Sequence, residues 1–440
     1  MSSCRLRKRA LPVGFRHLRK KRPSTSTRRC HSGSLPTRAR RHRAMCSPSG
    51  ATASEARPYA TWNDCPMASA PLTTQAFNEL IDLLGQIRDD YVLSPARFTD
   101  ELDVVEGFRY VTQLLSEGAE LFVEGDPERP RFSNIVSPAR KFLGDNADAI
   151  YQQAVIRGDR SYRISGRRDA QSYISFTVHG ADPAGGINGK VLADRNDRDL
   201  LVADDGTFEI TLSPVEHPGN WIRLDPAARL VLVRNYYLRA RSAQTDPTIA
   251  VQMAIEPLDQ LAPPAPLDDA TFASRLRAAN DFLRSTTLAL RVFGTPGTVP
   301  FRSNTPNTVG TPWSFRNADV DAAGAVDIYY STGSFDLGPD DALVMEGTIP
   351  PCVFANVTLW NAHMQTLDYV HQRCSLNSAQ IQTESDGRFR IVISDRDPGV
   401  PNWISTQGHR QGDIFWRFLL PEEQPPTPTC TVVPVGSLAG

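Results

Sequence analysis

Asp205-Gly206-Thr207-Phe208-Glu209-Ile210 returns 181 residues later as Asp386-Gly387-Arg388-Phe389-Arg390-Ile391. Asp-Gly supplies the positive φ of a tight turn, and Phe and Ile two positions apart point to one face of a strand. Working outward without a gap, residues 162–213 fall on 343–394, so that Gly166 meets Gly347, Thr177 meets Thr358, Asn196 meets Asn377 and Ser213 meets Ser394. With slips of one or two residues the match continues: Pro218-Gly219-Asn220-Trp221-Ile222 corresponds to Pro398-Gly399 followed by Asn402-Trp403-Ile404, and Arg234 to Arg417. The chain therefore carries an internal duplication. No helical pattern separates the strands within either copy, which disfavours parallel βαβ units. The expected fold is mainly β: two duplicated antiparallel β-sandwich domains, jelly-roll-like, with an N-terminal helical hairpin and a linker helix.

Inside the repeats, Tyr173, Ser175, Thr177 and His179 alternate with Ile174, Phe176 and Val178, the pattern of a half-buried strand. Similar strands are expected at Thr207–Leu212 and Leu230–Tyr236, and strand signals resume from Val326 to Phe418. The hairpin rests on Phe77, Leu80, Ile81, Leu84 and Ile87, with Thr73 or Thr74 as N-cap, and on Val104, Phe108, Val111, Leu115 and Phe122 after Pro95. Pro263-Pro264-Ala265-Pro266 leads into a helix from Asp269 to about Leu288. These signals divide the chain into a basic arm (1–66), the hairpin (67–130), a first sandwich (131–260), the linker and helix (261–292), a second sandwich (293–432) and a tail (433–440). The Pro-rich stretch Pro421–Pro428 is expected to end the ordered part.

The net charge of −1 hides an asymmetry: residues 1–44 hold 15 Lys or Arg and no acid, while residues 45–440 carry 33 basic against 49 acidic groups. The acidic body lacks the basic face that phosphate contacts need, so nucleic acid is not an expected partner for it. The arm fits a disordered basic tail or a targeting segment. With 43 Arg against 5 Lys in the chain, it fits still better an over-extended reading frame in a GC-rich genome, with Met67 as the start. No apolar run approaches a membrane span. The body's three cysteines, Cys352, Cys374 and Cys430, are odd in number and widely spaced, no disulfide framework, and the default compartment is a reducing cytoplasm.

Several motifs fail on spacing. Gly185-Gly186-Ile187-Asn188-Gly189-Lys190 misses the phosphate-loop pattern by one residue and lacks the hydroxyl after its lysine. No G-x-S-x-G elbow occurs, and His179, His217, His363, His371 and His409 form no H-E-x-x-H, so no metal site is assigned. What remains is the dense polar run Asp145-Asn146-Ala147-Asp148 with Tyr151. It suits acid–base work or cation binding, and equally suits Asx-type turn capping. Asn220-Trp221 and Asn402-Trp403, the latter after Asp397, offer stacking and hydrogen bonding to a ligand, or a shared packing role. Arg234 and Arg417 could hold an anion, with ion pairs to Asp225 and Asp413 the simpler expectation.

Three of these stretches resemble the bacterial Domain of Unknown Function 1214 family, especially its actinobacterial members, over about residues 73–432. They are Lys141–Tyr151, similar to a Gly-Asp-Asn-Pro-Asp-x-x-Tyr element with Ala147 in place of Pro, then Pro218–Arg234, and finally Trp360-Asn361 with Leu367-Asp368-Tyr369, Ser375-Leu376-Asn377 and Asp397–Trp403. The resemblance implies a β-rich sandwich fold and supplies no agreed activity. The residues thus leave three readings. One is a small-metabolite binder, for a sugar-like or hydrophobic ligand near the domain interface, using Asn146, Tyr151, Asn220, Trp221, Arg234, Asn377, Asp397, Asn402, Trp403 and Arg417. The second is an enzyme with Asp145, Asp148 and His409 as acid–base groups. The third is a structural or partner-binding protein. Cofactor and oligomeric state stay open.

Overall fold

The computed structural model describes residues 71–438 apart from Ala96, Thr99, Asn188, 290–298 and 318–323. Expectations for the basic arm lie outside the described residues. Met67–Gly440 forms one compact unit, and 19% of the described residues are helix and 32% strand.

Nine strands of the first half reappear in order in the second. In the first half β1 (Ser133–Asn134), β2 (Ala149–Val155), β8 (Ala228–Tyr236), β4 (Tyr173–Gly180) and β5 (Val191–Asn196) make a five-stranded sheet in that order. Against it lies a four-stranded sheet of β7 (Trp221–Arg223), β6 (Thr207–Ser213), β3 (Tyr162–Arg167) and β9 (Met253–Pro257). The second half repeats both orders. Its five-stranded sheet runs β10 (Trp313–Ser314), β11 (Ile328–Asp336), β17 (Gln411–Leu419), β13 (Phe354–Trp360), β14 (Ser375–Asn377). Its four-stranded sheet runs β16 (Trp403–Ser405), β15 (Phe389–Ser394), β12 (Asp341–Gly347), β18 (Thr429–Pro434). Pairing is antiparallel except for one short parallel pair per half, β6–β7 and β15–β16. Gly206 and Gly387, at φ of 84° and 81°, make the repeated turns ahead of β6 and β15.

Each sandwich fills its interior with alternate side chains. Ile164, Phe176, Phe208, Ile210 and Val233 lie in the first core, and Leu343, Val357, Phe389, Ile391 and Trp416 in the second. The two five-stranded sheets then meet through their outer faces, where Ala149, Tyr173, Tyr236, Ile328, Phe354, Trp360 and Phe415 form a further core. This corrects the half-buried reading of β4: all eight of its residues are buried. Its outward positions are covered by a second sheet that period-two alternation cannot announce.

The helices α1 (Leu72–Ile87), α2 (Glu101–Gly118) and α3 (Asp269–Thr286) close the rest of that face, over Leu230 and Leu232 of β8. α1 and α2 each run on into a π turn, Arg88–Val92 and Ala119–Val123. α1 is not capped by Thr73 or Thr74. Asp269, in the first turn of α3, accepts from Leu72 N and Thr73 N at 2.9 Å each, a cap lent by a residue nearly 200 positions away. The apolar stripe is also rotated from the expected one. Ala76, Leu83 and Ile87 are buried, whereas Phe77, Ile81 and Phe108 are 54%, 55% and 45% exposed. Order does not end at the Pro-rich stretch either: β18 follows it and pairs with β12, as β9 pairs with β3.

Candidate functional site

Register places the chemistry. In the first five-stranded sheet Tyr151, Arg234, Ser175 and Asn196 are successive cross-strand neighbours. In the second the same row reads Tyr330, Arg417, Asn356 and Asn377. Because Ile174, Phe176 and Val233 occupy the sandwich core, alternation sends the row residues to the opposite face, where the two sandwiches meet. The polar identities of the repeat, Thr177/Thr358, Asn196/Asn377 and Arg234/Arg417, therefore belong to the join.

Between the rows runs the loop Leu143–Asp148. Leu143 and Gly144 both hold positive φ, 50° and 77°, and a Cβ on Gly144 would sit 2.5 Å from the Trp360 ring. Asp145 Oδ1 accepts from Thr366 N at 2.8 Å, while its carbonyl accepts from Trp360 Nε1 and Thr366 Oγ1. Burial raises the pKa of Asp145, against the pull of Lys141. Asn146 Oδ1 receives Asp148 N at 3.0 Å, an Asx turn, and Asn356 Nδ2 at 2.8 Å. Asp148, 1% exposed, accepts from Asn377 Nδ2 at 3.0 Å and from Asn356 Nδ2 at 3.2 Å. Burial pushes its pKa up to about 6, although both amides and the Arg417 charge favour the carboxylate.

Arg417 lies over the faces of Phe415 and Trp360, 4.6 and 5.3 Å from the ring centroids, and gives Nη2 to the Gly144 carbonyl at 2.7 Å. Its Nη1, the Nδ2 of Asn146, the Oδ1 of Asn356 and the Oδ2 of Asp145 are buried without a hydrogen-bond partner. Arg234 gives Nη1 to Thr177 Oγ1 at 2.5 Å, and that hydroxyl continues to Asp194. The Tyr151 and Tyr236 hydroxyls are 3.3 Å apart. Burial raises the pKa of Tyr151 and of Tyr330, and both guanidiniums pull each of them down.

The expected pairs of Arg234 with Asp225 and Arg417 with Asp413 do not form: Asp413 is taken by Arg302 at 2.8 Å, and Asp225 caps Ala227 N in an exposed turn. Of the residues singled out from sequence, Asp145, Asn146, Asp148, Tyr151, Arg234, Asn377 and Arg417 gather at the join. His409 bonds elsewhere, to Glu106 Oε2 on α2 at 2.9 Å and to the Thr406 carbonyl, beside a hollow of about 180 Å³. Asn220 ties its turn to the backbone of Leu201 and Glu209, and Asn402 ties its own to Gln382 and Arg390, each within its own sandwich. Trp221 Nε1 and Trp403 Nε1 donate to the Ser213 and Ser394 carbonyls. Asp397 caps Gly399 N. Asn356, Tyr236, Tyr330 and Trp360 were not among the candidate site residues. The repeat alignment sets Asn356 against Ser175, the one signal that pointed to it. Among the described residues no group of three or more His, Cys, Asp or Glu is placed to hold a metal ion, and no helix is long and apolar enough to cross a membrane.

Residues 146–240 and 338–423, one stretch in each sandwich, match a family described as protein of unknown function (DUF1214). An uncharacterized protein from Burkholderia cenocepacia is 30% identical, with a TM-score of 0.72, across 83% of this chain and 98% of its own. The VPA0106 protein from Vibrio parahaemolyticus is 13% identical with a TM-score of 0.45, across 80% of this chain and all of its own. No curated protein matches the chain.

Proposed function

We propose that this chain, which belongs to the DUF1214 family, binds a small polar metabolite between its two sandwiches. The observation that carries the reading is the set of buried, unpartnered polar atoms around Asp148: Arg417 Nη1, Asn146 Nδ2 and Asn356 Oδ1. A buried donor or acceptor left unmade costs about 1–3 kcal/mol, and three in one place mark a position where a ligand supplies the missing partners. Trp360, Phe415 and Tyr236 add aromatic faces suited to an organic body. The reading places the protein in a reducing cytoplasm, in keeping with its free Cys352, Cys374 and Cys430 thiols.

A second reading, an acid–base enzyme, is favoured by Asp148 alone. A carboxyl raised to about 6 between two amides is poised to exchange a proton near neutrality. In that case Asp148→Asn abolishes turnover while leaving binding in place.

Thermal unfolding of the full chain against sugars, polyols, carboxylates and acyl chains tests the reading. A ligand at a hundred times its Kd adds about 2.7 kcal/mol, a shift of roughly two degrees or more at this size. The shift is expected to vanish in Asn356→Ala and Asn377→Ala and to persist in Asn220→Ala. A shift unaffected by the first two substitutions contradicts the reading. It would favour the 730 Å³ hollow lined by Leu121, Phe122, Val155, Ile187 and Leu230.

A further inference from the structure

Duplication sets an arginine at the same register of both five-stranded sheets, and both are buried at the join, Arg234 at 7% and Arg417 at 4% exposure. Neither has a carboxylate within ion-pair distance among the described residues. The two differ in how their charge is met. Arg234 reaches Asp194 through the Thr177 hydroxyl. Arg417 has only the Gly144 carbonyl on Nη2, ring faces beside it, and nothing on Nη1. Asp145 and Asp148 both feel its charge without reaching ion-pair distance, and Asp148 is already engaged by Asn356 and Asn377. A buried cation without a counter-ion is costly, and a guanidinium edge is the geometry that receives a planar oxyanion.

We propose that the molecule held between the sandwiches is a small organic carboxylate, its carboxylate received by the Nη1 edge of Arg417 beside the Asn146 amide, with Arg234 and Tyr151 on the facing sheet. The proposal rests on the interface reading above and adds the chemical class. Organic carboxylate fits better than phosphate on two counts. The free donors are few and suit one planar, singly charged group. Apart from Arg234 on the facing sheet, the surroundings are rings: Trp360 stacks on Phe415 at 4.1 Å between centroids, and Tyr236 meets Phe354 at 5.2 Å.

Isothermal titration of the full chain with acetate, succinate and benzoate, each beside its neutral amide, and with inorganic phosphate at constant ionic strength decides it. At least one carboxylate is expected to bind, its amide weaker by about tenfold or more. Arg417→Met is expected to abolish that binding while unfolding, without ligand, at or above the wild-type temperature, since it removes an uncompensated buried charge. Arg234→Met is expected to weaken binding without abolishing it. Amides that bind as tightly as acids, in a manner lost in Asn356→Ala, overturn the carboxylate assignment and leave the interface reading standing. Phosphate binding in place of every carboxylate also overturns it. Silence of all probes, with Arg417→Met less stable than wild type, makes the arginine structural and overturns both.

Discussion

At the residue scale the molecule turns on Asp148 and Gly144. Asp148 is raised to about 6 by burial, from an ordinary carboxylate near 3.8. A carboxyl raised on folding favours the folded state most when protonated. Its contribution is full below about 4 and lost as pH rises through 6, a swing on the order of 3 kcal/mol. Carboxyl-carbon NMR is expected to give Asp148 a midpoint near 6. Arg417→Met is expected to move that midpoint upward, because the guanidinium charge helps hold the carboxylate; a downward move contradicts the placement of Arg417 beside it. Gly144 is fixed differently. Its φ of 77° and the 2.5 Å approach of the Trp360 ring leave no room for a methyl group. Gly144→Ala is expected to cost about 1–3 kcal/mol in denaturant unfolding, and Gly85→Ala, where nothing lies within 4 Å of the added carbon, to cost nothing or to stabilise. The run Asp145–Tyr151 was legible as a cluster from its composition. What the sequence concealed was the buried destination of each side chain, because the atoms that engage Asp148 come from Asn356 and Asn377, more than 200 positions away.

At the element scale, α2 is joined to the second sandwich by a short polar seam. Glu106 Oε2 takes His409 Nε2 at 2.9 Å and Asn361 Nδ2 at 2.7 Å, and His363 bridges the Tyr91 hydroxyl to the Asp103 carbonyl. Burial works against charge on both partners of the Glu106–His409 pair, yet their contact raises the histidine and lowers the acid. The raised histidine stabilises fully below its ordinary value near 6.5 and loses this as pH climbs past its folded value. The lowered acid stabilises above its ordinary range and loses this as pH falls. His409→Ala is therefore expected to cost about 1–3 kcal/mol near pH 6 and clearly less at pH 9; an equal cost at both pH values would show that the imidazole only fills space. The cap on α1 makes a parallel case. Asp269→Ala removes acceptors from Leu72 N and Thr73 N and is expected to cost about 1 kcal/mol. It was illegible because a cap lent by another helix leaves no local pattern. The stripe of α1 misled for a related reason: Phe77 and Ile81 belong to a plausible apolar face, but contact with α3 through Ala76 and Asn280 selects a neighbouring one. The strands fared better, because Asp-Gly turns and period-two alternation are local signals.

At the scale of the whole molecule, the duplication gives two sandwiches with identical sheet orders. Their outer faces pair to make a join that neither copy has alone. The repeat, read along the chain, revealed the two domains. It could not reveal that they meet face to face, since the residues there alternate as an exposed face would. The same join explains why a histidine predicted to work with Asp145 and Asp148 sits with Glu106 instead: His409 follows β16, ahead of β17, and turns toward the helices. Rows that differ only in Ser175 against Asn356 face one another, yet among the described residues only the second row has a guanidinium nitrogen without a partner, and the Asn146 loop of the first sandwich packs against it. The duplicated framework is symmetric while the candidate site is one-sided.

The most direct test is a crystal structure of the full chain grown near pH 6 with succinate or benzoate. A carboxylate is expected on Arg417 Nη1 within hydrogen-bond distance of Asn146 Nδ2, with Asp148 still held by Asn356 and Asn377. A join filled by side chains alone, with Arg417 Nη1 turned onto Asp148, would contradict that expectation.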